Sequence, residues 1–187
     1  PLAQPDAVRA LAAHGYRARD FMNVYVRSLD DSSEALPEPI DLTVRPATPE
    51  EARTWFVNAG YAGPWADPDG VEFMLIRSCL KPGSRLFLAW QGKDIVGGGA
   101  LETTDGTAAL MAAMTSPYSR GRGVHSALLQ ARLRAARESG CDLVVVHTRP
   151  GADSARNVLR AGFQLAYTTV TMEKDRDLVS SAGRSAM

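Results

Sequence analysis

Apolar residues recur at helical spacing through Val124, Ala127, Leu128, Ala131 and Ala135, while Gln130, Arg134, Arg137 and Glu138 fall on the opposite side. Gly140 stops that helix. Before it, the apolar run from Ala108 to Met114 predicts a strand. After it, Cys141 to Thr148, short and rich in β-branched residues, predicts a buried one. A Pro150-Gly151 turn follows, then Asp153 or Ser154 can cap a short helix ending at Gly162, and alternation from Gln164 to Met172 predicts a last strand.

The first half is patterned as clearly. Leu42 to Ala47 reads as a strand, and Thr48-Pro49-Glu50-Glu51 as a capping box with proline at the first helical position. The helix it starts carries Ala52, Trp55 and Phe56. A second helix is predicted from Gly70 to Cys79, after a Pro64–Asp69 loop. Arg85 to Gln91 and Ile95 to Glu102 flank a hairpin turn at Gly92-Lys93, and Asp105-Gly106 is a second turn. This order predicts an α/β fold, a mixed sheet flanked by helices on both faces.

Two segments lie outside that succession. Asp6 to Tyr16 reads as a helix ending in glycine and an aromatic, followed by an alternating strand through Phe21, Val24 and Val26. Ser154 to Phe163 and the strand after it repeat this helix–Gly-aromatic–strand pattern, as a vestigial duplication would. The expected division is an N-terminal segment and linker over 1–35, with Asp30 to Pro39 as the linker. A main domain over 36–175 and a flexible polar tail over 176–187 complete it. The strand through Phe21 and Val26 is expected to cover an edge of the core sheet.

Composition narrows the partners. The 187 residues carry 21 Lys and Arg against 21 Asp and Glu, a balance that gives no sign of nucleic-acid or membrane binding. No apolar run approaches a membrane span and no signal-peptide pattern opens the chain. Cys79 and Cys141 read as free thiols in a reducing, cytoplasmic compartment, and no cysteine–histidine spacing suggests a metal.

The chemistry concentrates where the strand ending at Thr115 turns into the helix starting near Val124. The first N–H groups of such a helix lack intrahelical partners and, with the helix dipole, form an anion site. Gly121 and Gly123 allow close backbone approach, and Arg120 and Arg122 add charge. A P-loop would need Gly-Lys before Ser or Thr, yet no lysine occurs between Asp94 and Glu173. A dinucleotide fingerprint would need a small residue at Ser126 and an acidic residue about 20 residues on, where Asp142 sits at the wrong end of its strand.

Pro117-x-x-Arg120-Gly121-Arg122-Gly123 resembles motif A of the GNAT acetyltransferases, Gln/Arg-x-x-Gly-x-Gly/Ala, with His125 where that family prefers Gly or Ala. Ser154-x-x-Asn157-x-x-x-x-Gly162-Phe163, about 40 residues on, is similar to motif B of the same family. The resemblance covers roughly Pro39 to Lys174. It implies transfer of an acetyl group from acetyl-CoA to an amine of a small molecule or peptide, by a monomer or homodimer. The implied cofactor site comprises Met114, Thr115, Arg120, Gly121, Arg122, Gly123, Val124, His125, Ser126 and Asn157. A splay between the strands through Met111–Thr115 and Cys141–Thr148 would admit the pantetheine arm, and an N–H near Met114 would polarise the thioester.

Proton carriers are left open. Many family members place a tyrosine four residues before the motif B glycine; here the residue is Val158. Either Tyr167 or a water takes that part, or the thiolate leaves unaided. Glu102 and His147, each at a strand end, are the candidate bases, or the amine arrives neutral. Trp55, Phe56, Tyr61 and Trp65 either shape an acceptor pocket or pack in the core. A catalytically weak acyl-CoA sensor is the alternative reading.

Overall fold

The computed structural model describes residues 5–29, 41–58 and 68–174. The linker from Asp30 to Pro39, the aromatics Tyr61 and Trp65, and the tail over 176–187 lie outside them. In chain order the elements are α1 (Pro5–Ala13), β1 (Tyr16–Ser28), β2 (Thr43–Pro46), α2 (Pro49–Asn58), α3 (Pro68–Leu75), β3 (Ser84–Gln91), β4 (Asp94–Thr104), β5 (Thr107–Thr115), α4 (Val124–Glu138), β6 (Leu143–Thr148), α5 (Asp153–Arg160) and β7 (Gln164–Lys174). The seven strands form one sheet in the order β2-β3-β4-β5-β6-β1-β7. Only β5 and β6 run parallel; every other neighbouring pair is antiparallel.

Local chemistry accounts for the boundaries. At α2 the capping box forms: Glu51 N–H donates to Thr48 Oγ1 (3.2 Å) and Thr48 N–H to Glu51 Oε2 (3.0 Å). Arg45 holds the same carboxylate through both terminal nitrogens, which pulls the Glu51 pKa down to about 2. The second predicted helix is shorter than its pattern. It ends at Leu75 and widens into a π-helical turn over Ile76–Leu80, where Lys81 N–H reaches back to Ile76 O before Pro82 ends the run. At α5 neither Asp153 nor Ser154 caps. The N-cap is Ala152, and Asp153, inside the first turn, pairs with Arg156 instead.

The largest departure from expectation concerns β1. It does not cover an edge but lies inside the sheet, pairing β6 from Asn23 to Ser28 and β7 from Tyr16 to Val26. Val24 and Tyr25 are buried there, so β1 presents the apolar partner that a strand flanked on both sides requires. The chain's two ends are thereby joined in one sheet.

The core sits in two layers. One face, under α4 and α5, packs Leu110, Val124, Leu128, Val144, Val158 and Phe163. The other, under α2 and α3, packs Trp55, Phe56, Leu75, Leu86 and Leu88. Both helical layers come close to β4 at Gly97-Gly98-Gly99. A Cβ would meet Val124 Cγ1 at 2.5 Å from Gly97, Trp55 Nε1 at 2.5 Å from Gly98 and Arg132 Cζ at 2.8 Å from Gly99. Trp55 and Phe56 are core residues. Cys79 and Cys141 are free, and burial raises the pKa of both thiols.

Candidate cofactor cleft

Pairing between β5 and β6 runs from Thr107–Leu143 to Leu110–Val146 and then stops. Beyond that point Met111 to Thr115 keeps β4 on one side and opens a free backbone edge on the other. A bulge drives the separation. Gly98 faces Met114 while Ala100 faces Met111, so Ala112 and Ala113 together oppose Gly99, with Ala112 at φ 50°. The predicted splay is present, and the bulge bends β5 at its mouth.

Arg132 sits inside that bend. It is 1% exposed, and its Nε donates to Leu128 O (2.9 Å), its Nη1 to Ala100 O (3.3 Å) and Met111 O (3.5 Å). No carboxylate among the described residues pairs with it, and burial lowers its pKa to about 10, leaving the guanidinium charged at neutral pH. Carbonyls loosened by the bulge thus find donors, and the cation finds acceptors.

Past Thr115 a single 3₁₀ turn (Pro117–Ser119) leads to Gly121 and Gly123, at φ 76° and 79°. Left-handed backbone at both glycines turns the chain into α4 with no side chain capping it. The first intrahelical bond is Ala127 N–H to Gly123 O, so the N–H groups of Val124, His125 and Ser126 remain for a ligand. They border a cleft of about 730 Å³ that Met114, Thr115, Arg120, Gly121, Gly123, Val124, His125, Ser126 and Asn157 line together. Arg122 is the one predicted cofactor residue not in its lining. Ala113, within the strand expected to take the pantetheine arm, lines it too, and so do Arg156, Arg160 and Asp153, which the sequence reading did not assign to the site; Arg156 and Arg160 lie one helical turn apart on α5, the spacing that could have shown them.

His125 is half-buried, with Nδ1 fully enclosed and unpartnered. Burial, and secondarily the charge of Arg132, lowers its pKa to about 4, so the ring is neutral at pH 7. Gln130, read as lying opposite the apolar stripe, is buried, and so is Arg132, which the sequence reading did not place. Arg132 stands four residues after Leu128 and eight after Val124, the apolar stripe itself, which is where its signal lay.

The three candidate proton carriers do not line the cleft. Glu102 pairs with Ser84 and Ala109 in register, at the closed end of the sheet. Its carboxylate faces Lys81 and, at 3.7 Å, Arg77. His147 is exposed one residue beyond the last β5–β6 pair. Val24 separates it in register from Tyr167 on β7, so His147 and Tyr167 share a face across β1. Val158 is 1% exposed and belongs to the core.

The sequence model described as the acetyltransferase (GNAT) family matches residues 49–163. No curated protein matches the chain. A GCN5-related N-acetyltransferase from Sphaerobacter thermophilus superposes with a TM-score of 0.72 at 22% identity, over 90% of this chain and 56% of that one. A tandem GNAT protein from the clavulanic acid biosynthesis pathway gives 0.68 at 17% identity, over 92% and 58%. AAC(6')-Iy, in complex with the bisubstrate analog CoA-S-monomethyl-acetylneamine, gives 0.60 at 18% identity, over 72% and 98%. This chain therefore spans little more than half of the first two. These structures share the fold, and the segment matched by the family model exceeds half of the chain: it belongs to the GNAT acetyltransferase family.

Proposed function

We propose that the chain transfers an acetyl group from acetyl-CoA to an amine of a small molecule or peptide. The observation that carries this reading is the junction of the uncapped α4 N-terminus with the open edge of β5. The pyrophosphate would rest on the N–H groups of Val124, His125 and Ser126, with Arg120, Arg156 and Arg160 balancing its charge. The left-handed glycines suit it, since Gly121 leaves open space where a side chain would stand. Met111 to Thr115 would pair with the pantetheine amides as a strand does, and Asn157 would bond them from the opposite wall. Bound there, acetyl-CoA supplies an activated thioester; the amine nitrogen forms the new amide bond as the thiol departs.

The chain's own contribution is mainly positioning. Met114 N–H would steady the charge that develops on the carbonyl oxygen. Glu102, engaged by Lys81 and Arg77 at the closed end, is set aside as a base, and His147 beside the splay is the nearer proton acceptor. Buried Val158 favours a second reading, a catalytically weak acyl-CoA sensor, because the thiolate meets no hydroxyl there.

Titration with acetyl-CoA, followed by thiol release with small amines, amino acids and peptide N-termini, separates these. Micromolar binding with release for at least one acceptor class is expected. Binding without release from any amine leaves the sensor reading, and no binding removes both.

A further inference from the structure

His125 occupies the one motif A position where the chain departs from its family, and its surroundings give the ring a defined job. The imidazole lines the cleft from the first turn of α4, yet Nδ1 is enclosed without a partner. Neither nitrogen makes a hydrogen bond within the described residues, and Nδ1 alone of the two is enclosed, which leaves Nε2 as the nitrogen a ligand can reach. A neutral imidazole carries a donor on one nitrogen and a lone pair on the other. Arg132, two helical turns further along α4, is the buried charge that acts on this ring. An N–H enclosed without an acceptor costs more than an enclosed lone pair, so the surroundings of Nδ1 favour the proton on Nε2.

We propose that His125 is a ligand-binding residue: its Nε2–H joins the α4 backbone amides as a neutral donor to the pyrophosphate. This rests on the coenzyme A reading above. Arg120 from the turn and Asp153, Arg156 and Arg160 from α5 also face the cleft, so the anion meets cations there without needing an imidazolium. A neutral donor adds directionality without the cost of holding another charge beside the buried Arg132.

The probe is dephospho-coenzyme A, which keeps the pyrophosphate but lacks the 3′-phosphate, whose second ionisation falls near pH 6. Nitrogen-15 NMR of the free protein at neutral pH should show His125 protonated on Nε2 alone. Wild-type affinity should stay flat between about pH 5.5 and 8, because the ring is neutral throughout. His125→Ala should weaken binding roughly ten- to a hundredfold, as loss of a bond to a charged group does. His125→Gln, which places an amide nitrogen near the Nε2 position, should recover most of that loss. An Nδ1–H tautomer or an imidazolium overturns the proposal, as does an affinity that climbs as pH falls through the ordinary histidine range. Equal or tighter binding by His125→Ala also overturns it and makes the ring a plug. Those failures leave the cofactor reading standing, whereas a wild-type chain that binds no dephospho-coenzyme A ends both. The NMR arm needs only the wild-type protein, so a variant that misfolds does not remove the test.

Discussion

At Gly123 two demands coincide on one residue. Its φ of 79° lies in left-handed space, which costs a branched side chain about 1–2 kcal/mol, and in the proposed cofactor site it stands where backbone would approach the pyrophosphate. Gly123→Val is expected to abolish acetyl-CoA binding by calorimetry while the chain stays folded, because the strain is small against a typical domain stability of about 5–15 kcal/mol. Unchanged affinity would take the α4 turn out of the cofactor site. The glycines of β4 answer a different demand. Gly97, Gly98 and Gly99 fall inside a segment read from the sequence simply as a strand, yet each is fixed by a neighbour on one sheet face or the other: Val124, Trp55 and Arg132. Such close approaches have no local signature. The anion cradle is the opposite case, because the two glycines, the arginine and the helix start lie within a few residues, and their chemistry needs no tertiary contact to be recognised.

Among the elements, existence and type were legible wherever hydrophobic period and capping agreed, as at α2 and α4. The partner of each strand was not. Sequence neighbours usually pair, yet β1 enters between β6 and β7. The repeated helix–Gly-aromatic–strand pattern at Gly15-Tyr16 and Gly162-Phe163 marked the two strands as alike, but alternation cannot tell an edge from an interior position. The interior position raises the consequence of losing it. A chain beginning at Asp31 would strip β6 and β7 of their shared partner and remove the buried Val24 and Tyr25, together roughly 3–6 kcal/mol of burial. That rivals the stability of a whole domain. The truncated chain is expected to lose its cooperative thermal transition, and a peptide covering residues 5–29 added in trans should restore it. An unchanged melting temperature in a monodisperse sample would mean that β6 and β7 pair directly once β1 is gone.

Across the whole molecule the formal charge is zero, but its distribution is not even: Arg120, Arg156 and Arg160 collect at one cleft, and Arg132 is sealed beneath it. Burial of the His125 ring, and secondarily the charge of Arg132, ties fold stability to pH. The ring's folded pKa of about 4 lies below the ordinary value of 6.5, so between those limits the unfolded chain binds the extra proton. Stability therefore rises with pH in that window, is fully present above about 6.5, and is lost as pH falls toward 4. Two and a half units correspond to roughly 3 kcal/mol. Glu51 acts lower. Its pKa, held down by Arg45 and the Thr48 N–H, gives α2 a contribution present above the ordinary carboxylate range and lost as pH falls toward 2. It is a surface pair, so its share is small and salt-sensitive. Urea titrations at pH 7, 5.5 and 4.5 should show wild-type stability falling across the upper window and the His125→Gln slope clearly flatter, since the variant has nothing to protonate there. Parallel slopes would mean that His125 titrates alike in folded and unfolded chains, and that its burial does not hold the ring neutral.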